Sequence, residues 1–370
     1  LEGTKRHPYV LRYKVGVTRE GRITAMEIDL VGDGGAYLSK SHPVATRTMI
    51  EAPGPYRIGH VKTTVSLAFT NNTYSDAMRG FGSPQVDFAS EVLRDEIALE
   101  LGMDPVDFER KNHLREGEAS GVGQVMTDVS LDRCLEAAEK ASSWKARRAE
   151  LAKERELGGR KVRGLGLALL HRGEAFGAAG QGIDTAEVSL LVNNDGGITI
   201  LSSMADVGMG GHTMMVNVIM ETLGVDRERI VMAPVDTQYV PNSGPSSATR
   251  GTMVIGNAAR LAAEEVKGKL AAIAGDVLGV LPEELVFHRE RIYAPGKEDG
   301  QTSYMDMITE LFARGQTPSG RGWYAVSGLE WDRAAGHGEA YLSYAYGAAV
   351  AEVEVDLDTG AVSVERFVAV

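Results

Sequence analysis

Three glycine-containing segments carry the residue types from which a binding site can be built. They are Ala77-Met78-Arg79-Gly80-Phe81-Gly82-Ser83-Pro84-Gln85, Asp206-Val207-Gly208-Met209-Gly210-Gly211-His212-Thr213 and Val240-Pro241-Asn242-Ser243-Gly244-Pro245-Ser246-Ser247-Ala248-Thr249-Arg250-Gly251. Each follows an apparent strand and precedes a helix. Helix N-termini and consecutive backbone amides bind anions, and glycine lets a ligand approach the backbone closely. In the first segment Phe81 stands between two glycines. Its ring is either offered to a flat ligand or tucked into a tight turn, and spacing alone leaves both open. The second resembles a dinucleotide loop with Asp236 as ribose acid, but Thr213 stands where the third glycine belongs. His212 there reads as a capping or packed histidine, and Met214, Met215 and Met220 as core. The hydroxyls of the third segment suit a polar cofactor tail or a solvated loop equally.

The elements that must position these segments read as a mixture of strands and helices. Tyr9–Thr18 and Ile23–Val31 form a predicted hairpin turned at Arg19-Glu20-Gly21-Arg22. A short helix around Val44–Ile50 ends before Pro53, and Val61–Thr70 is strand-like. Ser83 is placed to cap a helix with Pro84 at its first position, its stripe being Val86, Ala89, Leu93, Ile97 and Leu101. Further helices are expected from Pro105, from Ser130 through Glu156 as one long element, over Thr213–Leu223 and over Val254–Ala274. A final hairpin is expected over Ala345–Asp356 and Ala361–Val370. Strands and helices do not alternate regularly, so the predicted class is α+β with mixed sheets. The texture turns glycine-rich near residue 157, which predicts a first lobe over 1–157 and a second over 158–370.

The 370 residues, 43% of them hydrophobic, suffice for a sizeable core. A formal net charge of −12 argues against nucleic acid or an anionic membrane as partner. Cys134 is the only cysteine, which excludes an internal disulfide, a thiolate zinc site and a self-contained iron–sulfur cluster, and points to a reducing cytoplasm. Serine or cysteine nucleophile motifs, paired-histidine zinc spacing and a phosphate-binding lysine loop are all lacking.

Taken together and in order, the three segments resemble the xanthine dehydrogenase family of molybdenum hydroxylases. That family's molybdopterin subunit carries Arg-Gly-Phe-Gly-x-Pro-Gln, then a glycine-rich loop, then Val-Pro-Asn-Ser-x-Pro-Ser/Thr. Arg6-His7-Pro8-Tyr9, Tyr346-Gly347 and Val353-Glu354-Val355-Asp356 extend the likeness over the chain. The resemblance implies hydroxylation of an electron-poor carbon, with water as oxygen source, in a purine or related N-heterocycle. An aldehyde substrate is the nearer alternative, and a metal-free binding module the more distant one. It also implies molybdopterin with molybdenum, in the plain or cytosine dinucleotide form, and iron–sulfur and FAD domains or subunits as partners.

By the same resemblance Arg47, aligned through Pro55-Tyr56-Arg57-Ile58, is the charge-stabilising arginine facing the substrate, the alternative being a surface salt bridge. Phe81 stacks on the heterocycle. Arg79 and Gly80 approach the molybdenum centre through the backbone, and Gly208, Met209 and Gly210 lie beside the metal. Ser246, Ser247, Ala248 and Thr249 bond the pterin and its phosphate. No side chain ligates the metal directly. Two departures stand out. Relatives usually have Gln where Met209 stands, and a thioether cannot donate as an amide does. The family's general-base glutamate is not found in its place. Glu339, in Gly336-His337-Gly338-Glu339, precedes the final hairpin instead of following it. Both ends read as cuts, so the expectation is a partial subunit that is inactive alone and completed by further chain.

Overall fold

The computed structural model describes residues 3–180, 182–297 and 300–370. The chain forms two compact units, one made of Leu1–Gly173 with Leu329–Val370, the other of Glu174–Gly328.

The first unit opens with β1 (Tyr9–Val17) and β2 (Ile23–Gly35), an antiparallel pair whose turn uses Gly21 at φ 79°. After α1 (Ser41–Glu51), β3 (His60–Phe69) joins the far side of β2 in parallel. The intervening helix supplies the crossover that a parallel pair requires. Ile23, Met26, Ile28 and Leu30 of β2 are buried with Tyr56, Val86 and Phe108, which makes β2 the spine of this core. α2 (Ser83–Glu100) buries Val86, Ser90, Glu91, Arg94 and Ala98, so its inner face carries a charged pair the apolar spacing did not suggest. Asp104 caps α3 (Pro105–Asn112), accepting from the Val106 amide at 2.9 Å.

The single long helix expected from Ser130 is two helices, α4 (Leu131–Ser142) and α5 (Trp144–Glu156). Ser143 adopts φ 54°, which no α-helix tolerates, and so breaks the run. β4 (Lys161–Gly173) follows.

In the second unit a four-stranded sheet has the order β11-β5-β6-β7, with β5 (Thr185–Val192), β6 (Ile198–Leu201), β7 (Ile230–Met232) and β11 (Gly320–Ala325). α6 (Gly211–Leu223) and α7 (Asn257–Leu278) pack on each other, and α7 packs on β5 and β11. That packing needs glycine at 320 and 322, since a Cβ at Gly320 would fall 2.8 Å from Val266 and one at Gly322 2.5 Å from the Ala262 amide. A wide π-turn, Gly251–Gly256, leads into α7. A small sheet of β8 (Val286–His288), β9 (Arg291–Tyr293) and β10 (Thr302–Ser303) lies before α8 (Tyr304–Ala313), whose capping box is made by Ser303 and Asp306.

The chain then returns to the first unit through the short pair β12 (Trp331–Asp332) and β13 (His337–Gly338), followed by β14 (Tyr344–Asp356) and β15 (Val362–Ala369). β14 pairs with β4 from Tyr344↔Gly173 to Asp356↔Lys161 and with β15 on its other side. Leu167, Leu169, Ala348 and Val350 close a core with Leu135, Ala138 and Trp144. Because this pairing ties β4 to the C-terminal strands, the division falls at Gly173/Glu174 and Gly328/Leu329 where the change of texture suggested residue 157. The mixed sheets and packed helices are the α+β class read from the sequence. No helix among the described residues is long and apolar enough to cross a membrane.

Candidate functional site

The first segment forms a tight turn onto α2. Gly80 and Gly82 have φ 99° and 102°, and Phe81 between them φ 54°. A Cβ on Gly82 would meet the Val44 carbonyl at 2.9 Å, so only glycine lets this turn lie against α1. Phe81, a bulky residue in left-handed backbone, is half-buried, and strain of this kind collects at ligand clamps. The Arg79 carbonyl accepts from Arg6 Nη2 at 2.7 Å while the Arg79 side chain is exposed. Ser83 does not cap the helix, because its hydroxyl donates to the Gly80 carbonyl and to Glu51.

Arg47 lies in α1, buried, with Nη1 2.9 Å from Glu51 Oε1 and 2.7 Å from the Gly173 carbonyl. Its guanidinium sits 4.5 Å from the Tyr341 ring centroid. Arg47 is therefore half of a buried ion pair, which a surface salt bridge is not. Glu51 also takes Arg172 Nη1 at 3.1 Å and the Gly173 amide at 3.3 Å. Sequence reasoning passed over Glu51 and Arg172. Their signals were an acid four residues after Arg47, on the same helix face, and a cation closing an apolar strand. Beside them His171 is buried and stacked on Tyr344, and burial pushes its pKa down to about 4, so it is neutral at neutral pH.

The loop that leads into the second segment, from Ser202 on, meets the third segment within the second unit. The Ser203 amide donates to Ser243 Oγ at 3.1 Å and the Ser243 amide to Ser203 Oγ at 2.7 Å. Ser246 Oγ accepts from the Ala205 amide at 2.9 Å. The Met204 side chain packs against Gly211 and Gly251, where α6 and the π-turn begin, so the starts of two helical segments adjoin. In the second loop Asp206 accepts from the amides of Gly208, Gly210 and His212 at 2.9, 3.2 and 3.2 Å. Those hydrogen bonds, the Gly208 one first, hold its carboxyl below the usual range. His212 is a packed histidine with Nε2 2.9 Å from the Met204 carbonyl. Met209 is exposed, and a Cβ on Gly208 or Gly210 would meet nothing within 4 Å, so this loop fronts open space.

In the third loop Ala248 and Thr249 both have φ 57°, and Ser247 and Thr249 are exposed. Arg250 holds the loop from behind. Fully buried, it donates to the carbonyls of Ser243, Pro245, Ile183 and Thr185 at 2.9, 2.9, 3.3 and 2.6 Å. The exposed hydroxyls, glycines and adjoining helix starts are a donor set suited to the phosphate and polar edge of a pterin. Groups of three or more His, Cys, Asp or Glu that would grip a metal directly are absent among the described residues.

Asp236 is exposed and caps its own turn, accepting from the Gln238 amide at 2.9 Å. Glu339 is exposed and accepts from the Glu330 amide at 3.2 Å, across the open end of the β12–β13 hairpin.

Two models of a molybdopterin cofactor-binding domain match the chain, one over residues 1–113 and the other over 137–370. The chain belongs to the molybdopterin cofactor-binding family. Within it, the relatives are of the xanthine dehydrogenase type. The xanthine dehydrogenase molybdenum-binding subunit of Escherichia coli O157:H7 is 32% identical over 275 residues, 74% of this chain and 36% of the relative. The xanthine dehydrogenase/oxidase of Felis catus is 26% identical over 96% of this chain and 25% of the relative. The chain thus spans about a quarter to a third of the length of these curated relatives. Among solved structures, the aldehyde oxidoreductase of Desulfovibrio gigas superposes with TM-score 0.83 at 27% identity, covering 99% of this chain and 37% of that one. Quinoline 2-oxidoreductase of Pseudomonas putida 86 shares the fold at TM-score 0.85 and 22% identity, over 100% of this chain and 48% of that one. The α+β fold is thus common to structures named for different substrates.

Proposed function

We propose that this chain is the cofactor-cradling part of a molybdenum hydroxylase that oxidises a purine or related N-heterocycle, with water as the oxygen source. The observation that carries the reading is the meeting of the lead-in to the second loop with the third loop, through Ser203, Ser243 and Ser246, at two adjoining helix starts. Ser246, Ser247, Ala248 and Thr249 would hold the pterin and its phosphate, in the plain or cytosine dinucleotide form, and Gly208, Met209 and Gly210 would flank the metal end. When bound, the cofactor supplies the oxygen transfer and accepts the electrons, which leave through iron–sulfur and flavin domains or subunits. Phe81, half-buried between Gly80 and Gly82, would stack on the flat substrate, with the Arg79 backbone beside it. Arg47 contributes positive charge from behind, through the Glu51 cluster. A reducing cytoplasm suits a chain whose only cysteine, Cys134, is free and buried.

An aldehyde substrate is the second reading, favoured by the 27% identity to the aldehyde oxidoreductase over nearly the whole chain. Elemental and pterin analysis of the purified native assembly, from cells able to make the cofactor, tests the proposal. Stoichiometric molybdenum is expected, and a clean absence leaves a metal-free binding module.

A further inference from the structure

Within the first unit one carboxylate serves two guanidiniums. Glu51 is fully buried and paired with both Arg47 and Arg172, so one carboxylate anchors two guanidiniums. The two cations differ in access: the Arg47 side chain is 4% exposed and that of Arg172 20%. Every hydrogen bond and ion pair of the Arg172 side chain among the described residues runs through Nη1, to Glu51 and to the Ser83 hydroxyl. Its Nη2 and Nε are unspent. A guanidinium held by one nitrogen and open at the others presents a pre-set planar fork, the geometry that matches a carboxylate.

The surroundings act in the same sense. Ser83 opens α2, whose N-terminus has no side-chain cap and no acidic residue in its first turn, so its positive end is not neutralised. One turn on, burial and the neighbouring Glu51 and Glu91 raise the Asp87 carboxyl to about 8, so at neutral pH it is mostly protonated and puts little negative charge beside Arg172. Glu91 is committed to the Tyr56 hydroxyl at 2.7 Å and the Leu169 amide at 2.7 Å.

We propose that Arg172 is the specificity-determining cation of the substrate face around Arg79–Ser83. Its open edge takes a carboxylate, or an oxygen bearing negative charge, on a planar substrate, and Glu51 and Arg47 are the positioning residues that fix that edge. This rests on the reading that the chain holds a flat substrate in a molybdenum hydroxylase.

The test uses the native assembly, with molybdenum content measured first, and titration calorimetry with two planar probes of the same shape, benzoate and benzamide. Benzoate is expected to bind about tenfold tighter, one charge-assisted fork being worth that ratio. Arg172→Gln removes the preference and leaves benzamide within about twofold of its original Kd. Arg172→Lys keeps Glu51 paired, and so the fold, but loses the planar fork; it is expected to cut the preference about threefold. Equal affinity for the two probes in the unaltered protein overturns the proposal. So does an equal loss of both in Arg172→Gln, or an undiminished preference in Arg172→Lys should the Gln variant fail to fold. In those cases measured molybdenum leaves the broader reading standing, whereas absence of the metal removes both.

Discussion

Arg250 and Asp184 lie 3.4 Å apart with neither side chain exposed. The distance makes this an ion pair more than a hydrogen bond, and Asp184 spends its other oxygen on the amides of Phe176 and Gly177 at 2.8 and 3.0 Å. Arg250 in turn takes the carbonyls of Ser243 and Pro245 in the third loop and of Ile183 and Thr185 at the start of β5, so loop shape and a buried charge depend on one side chain.

Arg250→Met therefore leaves Asp184 buried without its cation and is expected to cost about 3–5 kcal/mol. Equilibrium urea denaturation of the full chain reads this directly. A loss below about 1 kcal/mol would mean that the pair is not structural.

Gly82→Ala introduces a Cβ into backbone at φ 102° and against the Val44 carbonyl. Strain and overpacking together are expected to cost about 3 kcal/mol, seen as a lower Tm. Gly102→Ala is the control: its φ of 65° also disfavours a side chain, but its Cβ would meet nothing within 4 Å, so about 1 kcal/mol is expected.

At the second loop fold and cofactor separate. Gly208→Ala meets no neighbour within 4 Å, so stability is expected to fall by only about 1 kcal/mol for the positive φ, while molybdenum content of the native assembly drops severalfold. Circular dichroism with metal analysis distinguishes the two. Met209→Gln, at an exposed position, restores an amide donor and is expected to leave Tm unchanged and to raise turnover.

The buried carboxylates predict a pH dependence. Asp87 titrates at about 8 in the folded chain, against about 4 when unfolded. Between these values the native state holds a proton that the unfolded state has lost, so stability falls as pH rises from about 4 to 8 and then levels. Asp87→Asn is expected to flatten that slope in urea titrations run at a series of pH values. An unchanged slope would assign the effect to Glu91 or Glu109, whose carboxyls burial also raises.

Local chemistry made much of this legible. The turn at Gly21 and the start of α3 at Pro105 follow from residues adjacent in sequence, and each is where its chemistry put it. Partners far apart in sequence were not legible. The Ser83 hydroxyl reads as a cap until Glu51, 32 positions away, takes it, and Arg172 joins both from 89 positions beyond Ser83. The break at Ser143 carried no local signal either, since serine has no preference for the left-handed backbone it adopts there. The meeting of the lead-in to the second loop with the third loop depends on Ser203 and Ser243, 40 positions apart, which only the folded sheet brings together.

The pairing of β4 with β14 also orders events in time. Lys161–Gly173 finds its antiparallel partner only at Tyr344–Asp356, after the whole of Glu174–Gly328 has been made. On a ribosome the second unit is complete while β4 still lacks that neighbour. The first unit must then carry an unpaired apolar edge through more than a hundred residues of synthesis, at a cost in loop closure and in exposure to aggregation. A chaperone acting on the nascent chain would find its target in that waiting edge.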